Sequence, residues 1–176
     1  MKKFGLIGHP VAHSLSPALF KAGYDGRYPY ELIETADFEE AYSRFLNEYD
    51  GINVTAPFKE LAYAKADIHS EECKVIKATN LLVKTPEGIK AYNSDYLGVR
   101  MWLSEVAEGW KSVLAPWPQG VGPTTKEWEG FFSLSAAHRT ETALIVGLGG
   151  AGKAAAAAAE SLGMNVFRMN RTIRDD

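Results

Sequence analysis

Apolar positions divide the chain into short blocks with two different periods. Residues 3–8, 30–35 and 51–55 are brief apolar runs with strand character. Residues 79–85 and 89–92, separated by Pro86-Glu87-Gly88, read as a hairpin. Between the strands the spacing turns helical: Phe38, Ala41, Tyr42, Phe45 and Leu46 follow Asp37, a good N-cap. Ser16, with Pro17 next to it, predicts another helix start, and Gly23 predicts its stop. Residues 57–66 predict a third helix, begun at Pro57, and Ser70 caps a short one reaching Lys77. Asn93-Ser94-Asp95 opens a long helix to about Glu108. Strands alternating with helices predict an α/β fold: a mixed, largely parallel sheet with flanking helices over residues 1–108.

The pattern fails over residues 109–140. Pro116, Pro118, Gly120, Gly122 and Pro123 crowd together there and no period survives, as expected either of an interdomain linker with an insertion or of a mobile flap. Trp110, Trp117 and Trp128 suggest that parts of it pack. From Thr142 the pattern resumes. Ala143-Leu144-Ile145-Val146 is a buried-type strand, a glycine turn follows, an alanine-rich helix runs to about Leu162, and residues 165–169 form another strand. Residues 141–176 thus predict the start of a second α/β domain of the doubly wound, Rossmann-like kind.

Composition narrows the function classes. The 176 residues are 46% hydrophobic and 23% charged, which is ordinary for a soluble globular protein. With a formal net charge of −3 and no basic run, neither nucleic acid nor an anionic membrane is an expected partner. Apolar runs fall well short of a membrane span, and the N-terminus lacks the apolar core of a signal peptide. Cys73 is the one cysteine, so no intrachain disulfide can form, and a cytoplasmic protein is expected. No metal site is expected, and a homodimer is left open.

The glycine turn is the first candidate site. Gly147, Gly149 and Gly152 match G-x-G-x-x-G, with Gly150 and Ala151 inside it, directly after a strand and at the opening of a helix. There the first glycine permits the tight turn, the second lets the backbone approach a pyrophosphate, and the helix N-terminus favours the anion. A plain strand–helix turn would share the pattern. At the end of the next strand a binder of NAD usually carries an acidic residue; this chain has Asn170-Arg171-Thr172, with Arg174 beyond. A guanidinium beside amide and hydroxyl donors suits a 2′-phosphate, so NADP is the expected cofactor.

The second candidate site is scattered. Asn53 and Thr55 stand at i and i+2, on one face of an extended segment, and Lys59 follows just inside the next helix. They read either as a polar binding edge or as incidental polar residues. Ser14 and Ser16 flank Leu15 at a helix start suited to a carboxylate, although Ser16 also serves as a simple cap. Asn80 interrupts an apolar run, and Asp95 either caps its helix or acts at a site. Lys59 and Asp95 both lie at strand-to-helix junctions, which gather at the carboxyl ends of strands. An amine beside a carboxylate is a workable proton relay for an alcohol.

Six blocks, in order, are similar to the shikimate dehydrogenase family: Gly8-His9-Pro10 with His13-Ser14-Leu15-Ser16-Pro17; Asn53-Val54-Thr55-Ala56-Pro57-Phe58-Lys59; Ala78-Thr79-Asn80; Asn93-Ser94-Asp95; the glycine turn; and Asn170-Arg171-Thr172. The resemblance implies two α/β domains with the site in the cleft between them, and an oxidoreductase that interconverts 3-dehydroshikimate and shikimate with NADPH and NADP. It implies that Ser14 and Ser16 hold the substrate carboxylate and that Asn53, Thr55, Asn80 and Asp95 hold ring hydroxyls. Lys59, paired with Asp95, would be the catalytic acid/base. The glycine turn would hold pyrophosphate, and Asn170, Arg171, Thr172 and Arg174 the 2′-phosphate. On this reading residues 1–108 are the substrate-binding catalytic domain and 141–176 part of the NADP-binding domain, the rest of which is expected to be missing. A quinate/shikimate dehydrogenase using NAD, or a non-catalytic shikimate-binding fragment, are the alternatives. Phe20-Lys21 stands where the family usually has His-Asn, a departure expected to affect packing.

Overall fold

A strand that buries one face against helices must turn the other toward something else, and the sheet here shows what. In the computed structural model, residues 1–113 and 141–170 are described. In chain order the elements are β1 (Phe4–Gly8), α1 (Ser16–Gly23), β2 (Tyr30–Glu34), α2 (Phe38–Glu48), β3 (Gly51–Val54), α3 (Lys59–Lys65), β4 (Ile68–His69), α4 (Glu71–Ile76), β5 (Leu81–Thr85), β6 (Gly88–Tyr92) and α5 (Ser94–Val113). A second unit follows: β7 (Thr142–Val146), α6 (Gly150–Ser161) and β8 (Asn165–Met169).

Six strands form one sheet in the order β2-β1-β3-β5-β6-β4. The pairs β1–β2, β1–β3 and β4–β6 are parallel, while β3–β5 and the hairpin β5–β6 are antiparallel. The sheet is therefore mixed, with parallel pairing in the majority. Side-chain parity sorts its two faces. Ile7, Ile33, Ile52 and Val54 turn to one side and meet Phe38, Ala41, Tyr42 and Phe45 of α2 in a buried core that also takes in Tyr49, Phe58 and Leu82. Burying each such large side chain contributes roughly 1.5–3 kcal/mol, so this face fixes the strands. Cys73 lies in the same core, and burial pushes its thiol pKa up.

The opposite face is sparsely covered. Register places Tyr30 beside Phe4, Leu6 beside both Leu32 and Asn53, and Phe4 beside Gly51. Phe20 of α1 lies on this side, its ring 5.3 Å from Phe4 and 4.6 Å from Tyr30. Polar Asn53 thus shares a face with Tyr30, away from the core.

Several element ends differ from the sequence-based expectations. Ser16 is the first residue of α1, not its cap, and Leu15 at the cap position offers no side-chain acceptor. Gly23 is still helical, and the chain turns instead at Asp25 and Gly26, with φ of 52° and 67°. Pro57 lies before α3, in a turn closed by Phe58 N–H donating to Thr55 O at 3.0 Å, so the helix begins at Lys59. Asn93, not Asp95, caps α5: its Oδ1 accepts from Tyr96 N–H at 3.1 Å. The backbone of α5 runs to Val113, past the expected end at Glu108. Asp37 does cap α2, accepting from the Glu39 and Glu40 N–H groups.

The second unit is a β-α-β segment whose strands pair in parallel, Val146 opposite Met169. It joins the first through small residues. Ala154 of α6 is wholly buried against Ile76 and Ala78, with Tyr96 and Ala157 packed alongside. Across the same junction the Lys153 ammonium pairs with Glu60 at 2.6 Å. Both partners are partly exposed, so this pair is worth at most about 1 kcal/mol. No helix among the described residues is long and apolar enough to cross a membrane.

Candidate active site

Two cavities meet at the start of α3. The first, about 440 Å³, is lined by Ser14, Ser16, Asn53, Thr55, Lys59, Asn80 and Asp95, all seven residues expected at the substrate. The sheet explains their convergence. Asn53, next to last in β3, stands on the sparsely covered face, Asn80 precedes the adjacent β5, and Asp95 lies in the first turn of the helix that follows the hairpin.

Lys59 and Asp95 form the centre. Lys59 Nζ donates to Asp95 Oδ2 at 2.5 Å, with the two side chains 14% and 34% exposed. That partial burial keeps the pair out of bulk solvent yet open to a ligand. The other carboxylate oxygen, Oδ1, accepts from Asn80 Nδ2 at 2.9 Å. Asn80 is itself fixed, because its Oδ1 accepts from Ser94 N–H at 2.8 Å. Asp95 is free for this role because Asn93 does the capping; Asn93 is buried, and its Nδ2 donates to Ala78 O. Phe58, 2% exposed, anchors the start of α3 in the core and so sets the position of Lys59 beside it.

At the other end of the cavity Ser14 and Ser16 hold each other. The Ser14 hydroxyl donates to Ser16 Oγ at 3.0 Å, and Ser16 N–H donates back to Ser14 Oγ at 3.2 Å. Ser14, not Ser16, thus supplies the acceptor for a backbone N–H at this helix start. Between the two ends stands Tyr30, which the sequence reading missed. Its hydroxyl donates to Asn53 Oδ1 at 2.9 Å, and Asn53 Nδ2 reaches Asn80 O at 3.4 Å. Burial pushes the Tyr30 phenol up to about 12, a shift opposed in part by the nearby Ser16 hydroxyl. Phe20 also lines this cavity, so its departure from the family pattern reaches the site wall and not only the packing. Register alone could have found Tyr30: it shares the Asn53 face only once β2 and β3 are known to flank β1.

The second cavity, about 650 Å³, lies between the start of α3 and the glycine turn, and Thr55 and Lys59 line both cavities. Gly147, Gly149, Gly150, Ala151, Gly152 and Asn170 line it from the other side. The turn has the features a phosphate cradle needs. Gly147 has φ +93°, a conformation that side chains resist. A Cβ at Gly152 would fall 1.8 Å from Gly147 O, so helix and turn can close only around hydrogen there. At Gly149 no described atom stands within 4 Å of where a Cβ would be, so the backbone there faces open space. The residues present fit a pyrophosphate at a helix N-terminus. Arg171, Thr172 and Arg174, expected at a 2′-phosphate, lie outside the described residues, as does the proline-rich part of the 109–140 segment. Among the described residues no group of three or more His, Cys, Asp or Glu could hold a metal ion.

Comparison with known proteins points the same way. Residues 6–82 match the model of the shikimate dehydrogenase substrate binding domain. A shikimate dehydrogenase (NADP(+)) of Thermotoga maritima is 31% identical over 177 residues, covering 97% of this chain and 56% of that protein. The structure of shikimate 5-dehydrogenase from Thermus thermophilus in complex with NADP(H) and shikimate aligns with a TM-score of 0.68 at 28% identity, over 98% of this chain and 57% of that one. The shikimate dehydrogenase of Mycobacterium tuberculosis aligns with a TM-score of 0.69 at 28% identity, over 98% of this chain and 56% of that one. This chain therefore spans little more than half the length of the relatives it matches. Residues 6–82, whose sheet carries the first cavity, match the substrate binding domain of the shikimate dehydrogenases, and the chain along nearly its whole length is similar to members of that family.

Proposed function

We propose that this chain carries the substrate site, the proton-transferring lysine and the first part of the NADP site of a shikimate dehydrogenase. This is an oxidoreductase that interconverts shikimate and 3-dehydroshikimate on the way to aromatic amino acids. Residues 1–108 serve as the substrate-binding catalytic part and 141–176 as part of a Rossmann-like nucleotide domain. The observation that carries the reading is the Lys59–Asp95 pair, 2.5 Å apart, at the junction of a hydroxyl- and amide-lined cavity with a glycine-turn cavity. A redox enzyme for a polyhydroxylated acid needs that adjacency, because the proton and the hydride leave neighbouring atoms.

Each residue has a task that its chemistry allows. Ser14 and Ser16 offer hydroxyl donors to a carboxylate. Asn53, Thr55 and Asn80 bind ring hydroxyls. Lys59 gives a proton to the developing alkoxide when the ketone is reduced and takes it back in oxidation, while Asp95, held by Asn80, aims the amine. NADP, when bound at the turn, supplies the hydride acceptor, and NADPH the donor. Gly147, Gly149, Gly150, Ala151 and Gly152 shape that cradle, Asn170 lines it, and Arg171, Thr172 and Arg174 are the proposed partners of the 2′-phosphate. We place the protein in the cytoplasm, with a homodimer as the assembly to test.

The test is to mix the chain with shikimate and NADP, follow NADPH absorbance, and titrate shikimate separately by calorimetry. Turnover favouring NADP over NAD supports the proposal. A preference for NAD overturns the choice of cofactor, and shikimate binding without turnover identifies a binding fragment. Absence of shikimate binding removes the functional reading altogether.

A further inference from the structure

An asparagine amide can present either of two faces to a ligand, and its neighbours decide which. Asn53 stands in the wall of the first cavity with a donor on one side and an acceptor on the other. The acceptor is Asn80 O, which takes Asn53 Nδ2 at 3.4 Å and Val54 N–H at 2.9 Å. The donor is the Tyr30 hydroxyl, 2.9 Å from Asn53 Oδ1. The ring of Tyr30 is held against Phe20 at 4.6 Å between centroids, with a 35° tilt, and both rings line the cavity. Phe20 therefore limits where the phenol can point.

We propose that Tyr30 is a positioning residue for Asn53: by occupying Oδ1 it fixes the amide so that an N–H, and not the carbonyl, faces a hydroxylated ring bound in the cavity. The inventory supports this. An asparagine amide has two N–H donors and a carbonyl with two lone pairs. Asn80 O uses one donor and Tyr30 one lone pair, so one N–H remains for the ligand. A ring hydroxyl that meets this N–H accepts there, leaving its own proton for another partner. Burial, which holds the phenol protonated to about pH 12, keeps Tyr30 a donor throughout the neutral range. The consequence for substrate choice rests on the shikimate reading above; the claim about the amide does not.

The test is Tyr30→Phe, which keeps the ring against Phe20 and removes only the hydroxyl. In the ¹⁵N-labelled chain without ligand, the Asn53 side-chain amide resonances are expected to shift or broaden; unchanged resonances overturn the inference whether or not shikimate binds. In calorimetry, shikimate affinity is expected to fall on the order of tenfold, the size of one hydrogen bond. Cyclohexene carboxylate, which lacks the ring hydroxyls, is expected to bind the variant as it binds the parent. Equal weakening of both ligands would mean that Tyr30 merely shapes the cavity, and overturns the proposal. Failure of the unaltered chain to bind shikimate overturns the functional reading alone, since the Asn53 resonances still decide this one.

Discussion

Two glycines of one turn should respond to alanine in opposite ways. At Gly152 a Cβ would stand 1.8 Å from Gly147 O and 2.9 Å from its carbonyl carbon. Ordinary contact begins near 3.4 Å, so the turn must give by more than an ångström. It cannot give easily, because Gly147 is already at φ +93° and its N–H is committed to Met169 O at 2.8 Å. Overpacking of this kind costs roughly 1–3 kcal/mol or more, which for a chain of this size lowers Tm by on the order of 5 °C. Gly149 has φ −71° and ψ −178°, which any residue adopts, and no described atom within 4 Å of a Cβ. Gly149→Ala should leave stability unchanged or raise it by about 0.4–1 kcal/mol, through the less flexible unfolded chain. Its methyl group, however, stands where a pyrophosphate must approach, so NADP affinity should fall at least about tenfold, a loss of ~1.4 kcal/mol. Thermal melts with and without NADP, together with calorimetric titration, separate the two variants. A Gly149→Ala chain that binds NADP as tightly as the parent would refute the cradle, and an unchanged Tm for Gly152→Ala would refute the packing argument.

Lys59→Ala should lower turnover on the order of 10² or more while shikimate affinity stays nearly constant; lost affinity with unchanged turnover would make Lys59 a binder. Ala154→Leu places extra atoms at a wholly buried contact with Ile76 and Ala78. It should cost about 1–3 kcal/mol and weaken NADP binding by displacing the turn, while shikimate titrates as before. In alkaline titration by tyrosinate absorbance, Tyr30 should ionise at about 12, its burial favouring the neutral phenol. The unfolded chain releases that proton near pH 10, so stability should decline as pH climbs from there through the folded value. Tyr30→Phe should make the decline shallower in urea melts, and an unchanged slope would count against a buried phenol.

What the sequence revealed depended on the range of the interactions involved. Local signals were sound where a side chain acts on its own helix: Asp37 before Phe38 does cap α2, and the glycine spacing does mark the β7–α6 turn. They misled where competing partners lie close. Ser16 looks like a cap, yet Ser14 supplies the acceptor; Asp95 looks like one too, yet Asn93 caps α5 and leaves the carboxylate to Lys59. Tyr30 could not be read from local pattern at all. It is 23 residues from Asn53 and joins it across β1, a relation set by sheet order. The parallel majority of the sheet was legible from alternating blocks, whereas the two-residue strand β4 offers too short a pattern to notice.

The glycine turn and the lysine are best understood as one construction. Gly150 belongs to the turn by sequence, but a Cβ there would lie 2.7 Å from Lys59 Cδ and 3.2 Å from its Cβ. The helix start proposed to face a phosphate therefore also packs on the stem of the proposed proton-transfer residue. Long aliphatic stems lose much rotamer freedom when held, roughly 1.5–2 kcal/mol for lysine, and an amine on a free stem would seldom point at one oxygen. Here the stem packs against Gly150, and its backbone follows Phe58, which is anchored in the core, so the Asp95 carboxylate is left to fix the head. A larger residue at Gly150 would push that stem before it touched a nucleotide. The second cavity thus needs small residues for two separate reasons: approach of an anion at Gly149, and approach of Lys59 at Gly150. The proposed nucleotide and proton-transfer sites are thus joined at the contact between Gly150 and the Lys59 stem, and Lys59 lines both cavities.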